Sequence, residues 1–87
     1  MPDITADPAK LRQLARTLSQ GAQQLDQLAR QLQRSLDTTG WMGSERQRFE
    51  QDFRAKLKTL SQVSNELKSQ QVPDLQKKAE MLERFRT

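Results

Sequence analysis

Gly40-Trp41-Met42-Gly43-Ser44 stands near the midpoint of an 87-residue chain, and its reading decides the fold. The stretch holds the only tryptophan and two of the three glycines. Long amphipathic segments flank it on both sides, so it reads as the reversal of a helical hairpin. Gly40 suits the left-handed conformation that ends a helix. Gly43 lets the chain turn back, and Ser44 is expected to cap the second helix. The indole of Trp41 is expected to cover the open end of the helix pair.

Moving toward the N-terminus, the spacing predicts a helix over 8–37. Asp7-Pro8 is a strong start, with Asp at the N-cap and Pro at the first helical position, where its missing N–H costs nothing. Leu11, Leu18, Leu25 and Leu32 repeat every seven residues, with Leu14, Leu28 and Leu36 in the half-heptads, which reads as a coiled-coil seam. Ala15, Ala22 and Ala29 form a parallel stripe beside it. Small residues there admit a close neighbour, so the first helix is expected to pack on two others. Gly21 interrupts the pattern; it reads either as a tolerated glycine or as a point of close helix approach.

Toward the C-terminus, residues 38–44 form the turn and 45–71 the second helix. Ser44-Glu45-Arg46-Gln47 has the form of a capping box. Phe49, Phe53, Leu57, Leu60, Val63 and Leu67 share one face. Pro73 is expected to kink or break the helix. A helical continuation over 73–85 carries Leu75, Ala79, Leu82 and Phe85, offset by one from the preceding register. The chain therefore reads as one all-α unit over 1–87, with a loose lead-in over 1–6. It is an antiparallel helix-turn-helix hairpin expected to dimerise into a four-helix bundle.

Composition supports a partner. With 33% hydrophobic and 5% aromatic residues, no cysteine and no metal-ligand pattern, so short a chain is expected to recruit a second copy or a relative to complete its core. The chain has no histidine, cysteine or tyrosine, which removes the common nucleophile–base pairs and the nitrogen and sulfur metal ligands. Glu50 and Asp52 are two apart on a helix and point to different sides. We therefore expect no enzyme, no cofactor, no metal and no small-molecule substrate. Fifteen basic residues against 11 acidic ones leave a charge of +4. The basic groups Arg46, Arg48, Arg54, Lys56, Lys58 and Lys77, Lys78, Arg84, Arg86 are interrupted by Glu45, Glu50, Asp52, Glu80 and Glu83, which reads as a solvated surface rather than a nucleic-acid footprint. No apolar run reaches the ~20 residues of a transmembrane helix. The start carries no basic segment followed by an apolar run, so no cleavable leader is expected.

Trp41-Met42-Gly43 in the turn, the chain length and the two heptad-patterned helices together resemble the WXG-motif (ESAT-6-like, Esx) superfamily of small type VII secretion proteins. Phe49 and Phe53 resemble the aromatic pair that members often carry early in the second helix. The resemblance is clear over about 11–67 and looser to Phe85. It implies a hairpin that pairs with itself or with a related hairpin, export from the cytoplasm without a cleavable leader, and engagement of a membrane-embedded secretion ATPase. It further implies that Trp41 and Gly43 form a turn/export motif that works with a Tyr-x-x-x-Asp/Glu signal. This chain departs there: it has no tyrosine, and Met81 and Phe85 stand where that signal is expected. It is also basic, whereas members are often acidic.

The expected function is a secreted protein or a co-secreted chaperone or adaptor. The rival readings are a hairpin subunit of a secretion apparatus that polymerises, and a basic helical nucleic-acid binder. The hairpin and dimer contacts are expected at Leu11, Leu14, Ala15, Leu18, Ala22, Leu25, Leu28, Ala29, Leu32 and Leu36, and at Phe49, Phe53, Leu57, Leu60, Val63 and Leu67.

Overall fold

The computed structural model describes residues 6–85; most of the expected lead-in, and Arg86 of the C-terminal basic group, lie outside them. Helix α1 spans Pro8–Asp37. The Asp7 carboxylate accepts from the Ala9 N–H at 2.9 Å, satisfying a donor that the first turn leaves open. Helix α2 spans Ser44–Glu66 and runs without interruption through a π-helical turn, Leu67–Gln71, into α3, Val72–Phe85. Among the described residues there is no strand. The result is an all-α hairpin in which α1 lies antiparallel along the bent second arm.

Two side-chain columns trade the places the sequence suggests. Apart from Leu36, the leucines of α1 are not its inner seam. The buried residues are Pro8, Ala15, Ala22, Ala29 and Leu36, seven apart throughout. Leu11, Leu18, Leu25 and Leu32 flank them half-buried, and Leu14 and Leu28 are 47% and 42% exposed. The facing arm contributes Leu57, Ser64 and Ala79. Small residues allow two backbones to approach closely, and a leucine in place of Ala22 at the centre of that column would hold them apart. The buried Ser64 hydroxyl makes use of that proximity, donating to the Ala22 carbonyl of α1 at 2.9 Å.

The leucine flank and its opposite differ in chemistry. On the opposite flank Arg12, Ser19, Asp26 and Gln33 repeat at seven, and three of them reach across to the second arm. Arg12 pairs with Glu83, Lys68 with Asp26 at 2.7 Å, and Gln33 donates to Glu50 at 3.1 Å. The hairpin therefore has one ion-paired edge and one apolar face.

The arm neither stops nor breaks at Pro73. Leu57 and Ser64 are seven apart, but the next inward positions, Val72 and Ala79, are reached only after a step of eight. A regular helix would carry Ala79 ~100° away from α1. The π turn absorbs the extra residue: the Val72 N–H reaches back to the Leu67 carbonyl, five residues earlier. Pro73, which has no N–H, falls where the hydrogen-bond pattern changes back.

The assembled chain is a rod of 65 × 21 × 16 Å with a radius of gyration of 19.2 Å, against the ~12 Å of a compact domain of this length. One hairpin leaves its leucine face half in water. Gly21 lies on that face between Leu14 and Leu28. Its backbone is helical, and a Cβ built there would meet nothing within 4 Å. The hairpin thus carries a helix-interior glycine, at ~1 kcal/mol relative to alanine, that its own packing does not require.

Ala22→Leu should force the arms apart at the Ser64 contact and lower stability by ~1–3 kcal/mol, read by urea or thermal unfolding. A second expectation concerns pH. The hydrogen bond from Lys68 holds the Asp26 carboxyl below its ordinary value of 3.8. Asp26 thus holds its proton less tightly folded than unfolded. Its contribution is present above pH ~4 and fades as pH falls through the lowered pKa. Asp26→Asn should be slightly less stable than wild type at pH 7. The two melting curves should converge when circular dichroism is followed down to pH 2.

Candidate functional site

The turn is built by hydrogen bonds that close the end of α1 and reopen the chain as α2. The Thr38 N–H bonds to the Arg34 carbonyl, and the Thr39 hydroxyl donates to the Leu36 carbonyl at 2.8 Å. The Trp41 N–H in turn donates to the Thr39 hydroxyl at 3.1 Å. Gly40, at φ +73°, takes the left-handed conformation. Gly43 combines φ +105° with an extended ψ of −175°, a region open essentially to glycine alone.

Gly43, not Ser44, stands at the N-cap of α2. Ser44 lies inside the first turn, and no side chain caps the helix. The capping-box pattern is present in the sequence, but the chain enters the helix one residue too early for Ser44 to use it. A different side chain fastens the turn. Arg46 reaches back to donate to the Trp41 carbonyl at 2.9 Å and to Asp37 at 3.0 Å. Sequence reading placed Arg46 among surface charges; the only signal of its role was a cation one helical turn beyond a glycine-rich reversal.

Trp41 packs against the start of the second arm. Its ring leans on Phe49 with centroids 5.4 Å apart, and Phe49 on Phe53 at 5.2 Å. Residues four apart on a helix lie one above the other, so Phe49 and Phe53 continue the stack along α2. Trp41 remains 38% exposed, and Met42 beside it 82%. Together with Leu32 and Leu36 these rings line an open apolar groove at the turn end of the leucine face.

That face runs the length of the hairpin. Leu11, Leu18, Leu25 and Leu32 of α1 lie half-buried on it, as do Phe53, Leu60 and Leu67 of the second arm. Leu14, Leu28, Phe49 and Val63 are its exposed outer members. Of the residues expected at contacts, Ala15, Ala22, Ala29, Leu36 and Leu57 are buried within the hairpin itself. The π turn brings Leu75 and Leu82 onto the face as well, with Phe85 strongly exposed at its end. These three escaped the expected contact set because the offset register hid their alignment.

Every acidic residue of the stretch 50–80 but Glu66 pairs with a nearby cation. Glu50 takes Arg46 at 3.6 Å and Arg54 at 3.1 Å, Lys56 pairs with Asp52, Lys78 with Asp74 at 2.6 Å, and Arg84 with Glu80 at 3.2 Å. Glu50 and Asp52 thus serve separate cations. Among the described residues no group of side chains is placed to hold a metal ion, and no helix is long and apolar enough to cross a membrane. What the arrangement can do is bury apolar surface against another helical surface, with an aromatic stack at one end. Searched against family models, curated proteins and solved structures, the chain finds no match.

Gly43→Ala should lower stability by ~1–3 kcal/mol, because alanine must be forced into the glycine-only region. Ser44→Ala, which removes no capping bond, should stay within ~0.5 kcal/mol of wild type in the same urea titration.

Proposed function

We propose that this chain is a small non-enzymatic helical-hairpin protein that acts as a dimer in a type VII (ESX-like) secretion system, either as an exported protein or as a co-secreted chaperone or adaptor. The observation that carries the reading is the Trp41-Met42-Gly43 reversal. A glycine-only backbone there presents a half-exposed indole at the head of an apolar face. The sequence resemblance supplies the family, and the physical chemistry of the face supplies the need for a partner. A rod with one ion-paired edge and one apolar face stabilises itself by laying that face on a second hairpin, which completes a four-helix bundle.

In this reading the partner is another copy or a related hairpin. The pair forms in the cytoplasm and leaves without a cleavable leader by way of the secretion ATPase. Trp41 and Gly43 provide one half of the export signal. The chain lacks tyrosine, so the other half belongs to a chain that travels with it. The Trp41–Phe49–Phe53 stack then has two roles, fixing the turn and offering an aromatic edge to that machinery.

Light scattering behind size exclusion should give a concentration-independent mass near twice 10.1 kDa. Open-ended growth would replace this reading with that of a polymerising subunit. Trp41→Ala should cost ~1–2 kcal/mol of stability from lost apolar burial. It should also cut secretion by roughly tenfold, as expected when a turn interaction worth ~1.4 kcal/mol is lost at the export machinery. Export at the wild-type level from a folded, dimeric Trp41→Ala protein would defeat the signal role.

A further inference from the structure

We infer that a cleft between the two arms on the polar edge, lined by Arg30 of α1 and by Arg54 and Lys58 of α2, binds a short acidic segment of a protein partner through its carboxylates. The inference concerns a single hairpin and holds whatever covers the apolar face.

The cleft lies between two crossings that tie the arms together. Lys68 reaches Asp26 at 2.7 Å on one side of it, and Gln33 reaches Glu50 at 3.1 Å on the other. Between these crossings Asp26, Arg30 and Gln33 stand at i, i+4 and i+7 on α1, and Arg54, Lys58 and Ser61 take the same spacing on α2. Residues so spaced share one helix face, so each arm turns a row of polar side chains toward the cleft. Buried Ala29 and Leu57 form the floor, and the two rows with that floor line a space of about 350 Å³.

Elsewhere on this edge charge is matched. Arg12 pairs with Glu83, Lys68 with Asp26, and Arg46 with Asp37 and Glu50. Arg30 and Lys58 form no ion pair among the described residues, yet both line the cleft. Arg54 shares its carboxylate, Glu50, with Arg46, so Glu50 keeps a cation when Arg54 turns to a ligand. The lining thus sets three cations against one acid, Asp26, and that acid is already bonded to Lys68. Like charges gathered on one cleft repel, and a bound carboxylate relieves that repulsion while accepting charge-assisted hydrogen bonds.

The surroundings of these cations select the occupant. A nucleic-acid backbone needs a continuous run of positive charge. Here the unbalanced charge covers little more than one helical turn, and Asp26, Glu50 and Glu83 stand along the same edge. A glutamate side chain fits better. Its methylenes cover the apolar floor at Ala29 and Leu57, its carboxylate meets the guanidinium groups, and the Ser61 hydroxyl is a further donor. The net charge of +4 draws such a segment toward the hairpin.

The test is fluorescence anisotropy of a labelled hexaglutamate peptide titrated with the full chain at low salt. The peptide should bind, and Arg30→Gln combined with Lys58→Gln should weaken it by about tenfold or more. Arg34→Gln combined with Lys77→Gln removes the same charge outside the cleft and should weaken it by less than about threefold. Circular dichroism checks that both double variants fold as the wild type does. Equal losses in the two variants would mean that the peptide reads net charge alone, which overturns the site. No binding by the wild-type chain overturns it as well. So does a cleft-dependent preference for a single-stranded oligonucleotide of equal charge, or for inorganic phosphate, over the peptide.

Discussion

The closeness of two helix backbones along a column of alanines governs this structure. Ala15, Ala22 and Ala29 let the second arm approach until a serine hydroxyl reaches a main-chain carbonyl of the opposite helix. At that spacing most of the leucines of α1 are displaced to one side, and only Leu36, at the turn end, stays buried. The polar residues of the adjoining column fall to the other side, where they find Glu83, Lys68 and Glu50. The division of the rod into an ion-paired edge and an apolar face follows from the size of one set of side chains. Surface ion pairs of this kind add little stability each. Their larger effect is on the character of the surface: one long edge of the rod is polar and the other apolar.

Much of the fold is written locally. Asp7-Pro8 announces the start of α1 in its own chemistry, and Gly40 and Gly43 mark a reversal because few other residues tolerate their backbone angles. What the sequence did not reveal is which of two parallel stripes faces inward. Hydrophobicity ranks leucine above alanine, whereas a helix contact can favour the smaller side chain when a second interface is available to take the larger ones. Both stripes repeat at seven, so periodicity alone cannot order them. The turn shows a similar limit. Ser44 through Gln47 has the spacing of a capping box, yet the extended ψ of Gly43 starts the helix one residue sooner. Arg46 was legible only as a charge, because its task depends on where the chain reversal places the Trp41 carbonyl.

The aromatic stack and the leucine face belong to one continuous surface, which joins the two halves of the functional reading. Trp41 and Phe49 stand at the end of the same face that Leu14, Leu28 and Val63 extend along the rod. The turn and the leucine face are therefore physically coupled: a change at one alters the surface presented by the other.

The widened turn at 67–71 bears on how this chain is compared with others. A π turn is an α-helix holding one residue more than its neighbours need, so a shorter sequence could dispense with that residue and keep Ala79 facing α1. Two chains with the same three-dimensional surface would then differ by a gap inside a helix, a place where alignments seldom put one. An ungapped comparison would pair every position beyond Gln71 with the wrong neighbour, matching inward residues to outward ones. The second arm is best compared as two segments, before and after the turn, each in its own phase.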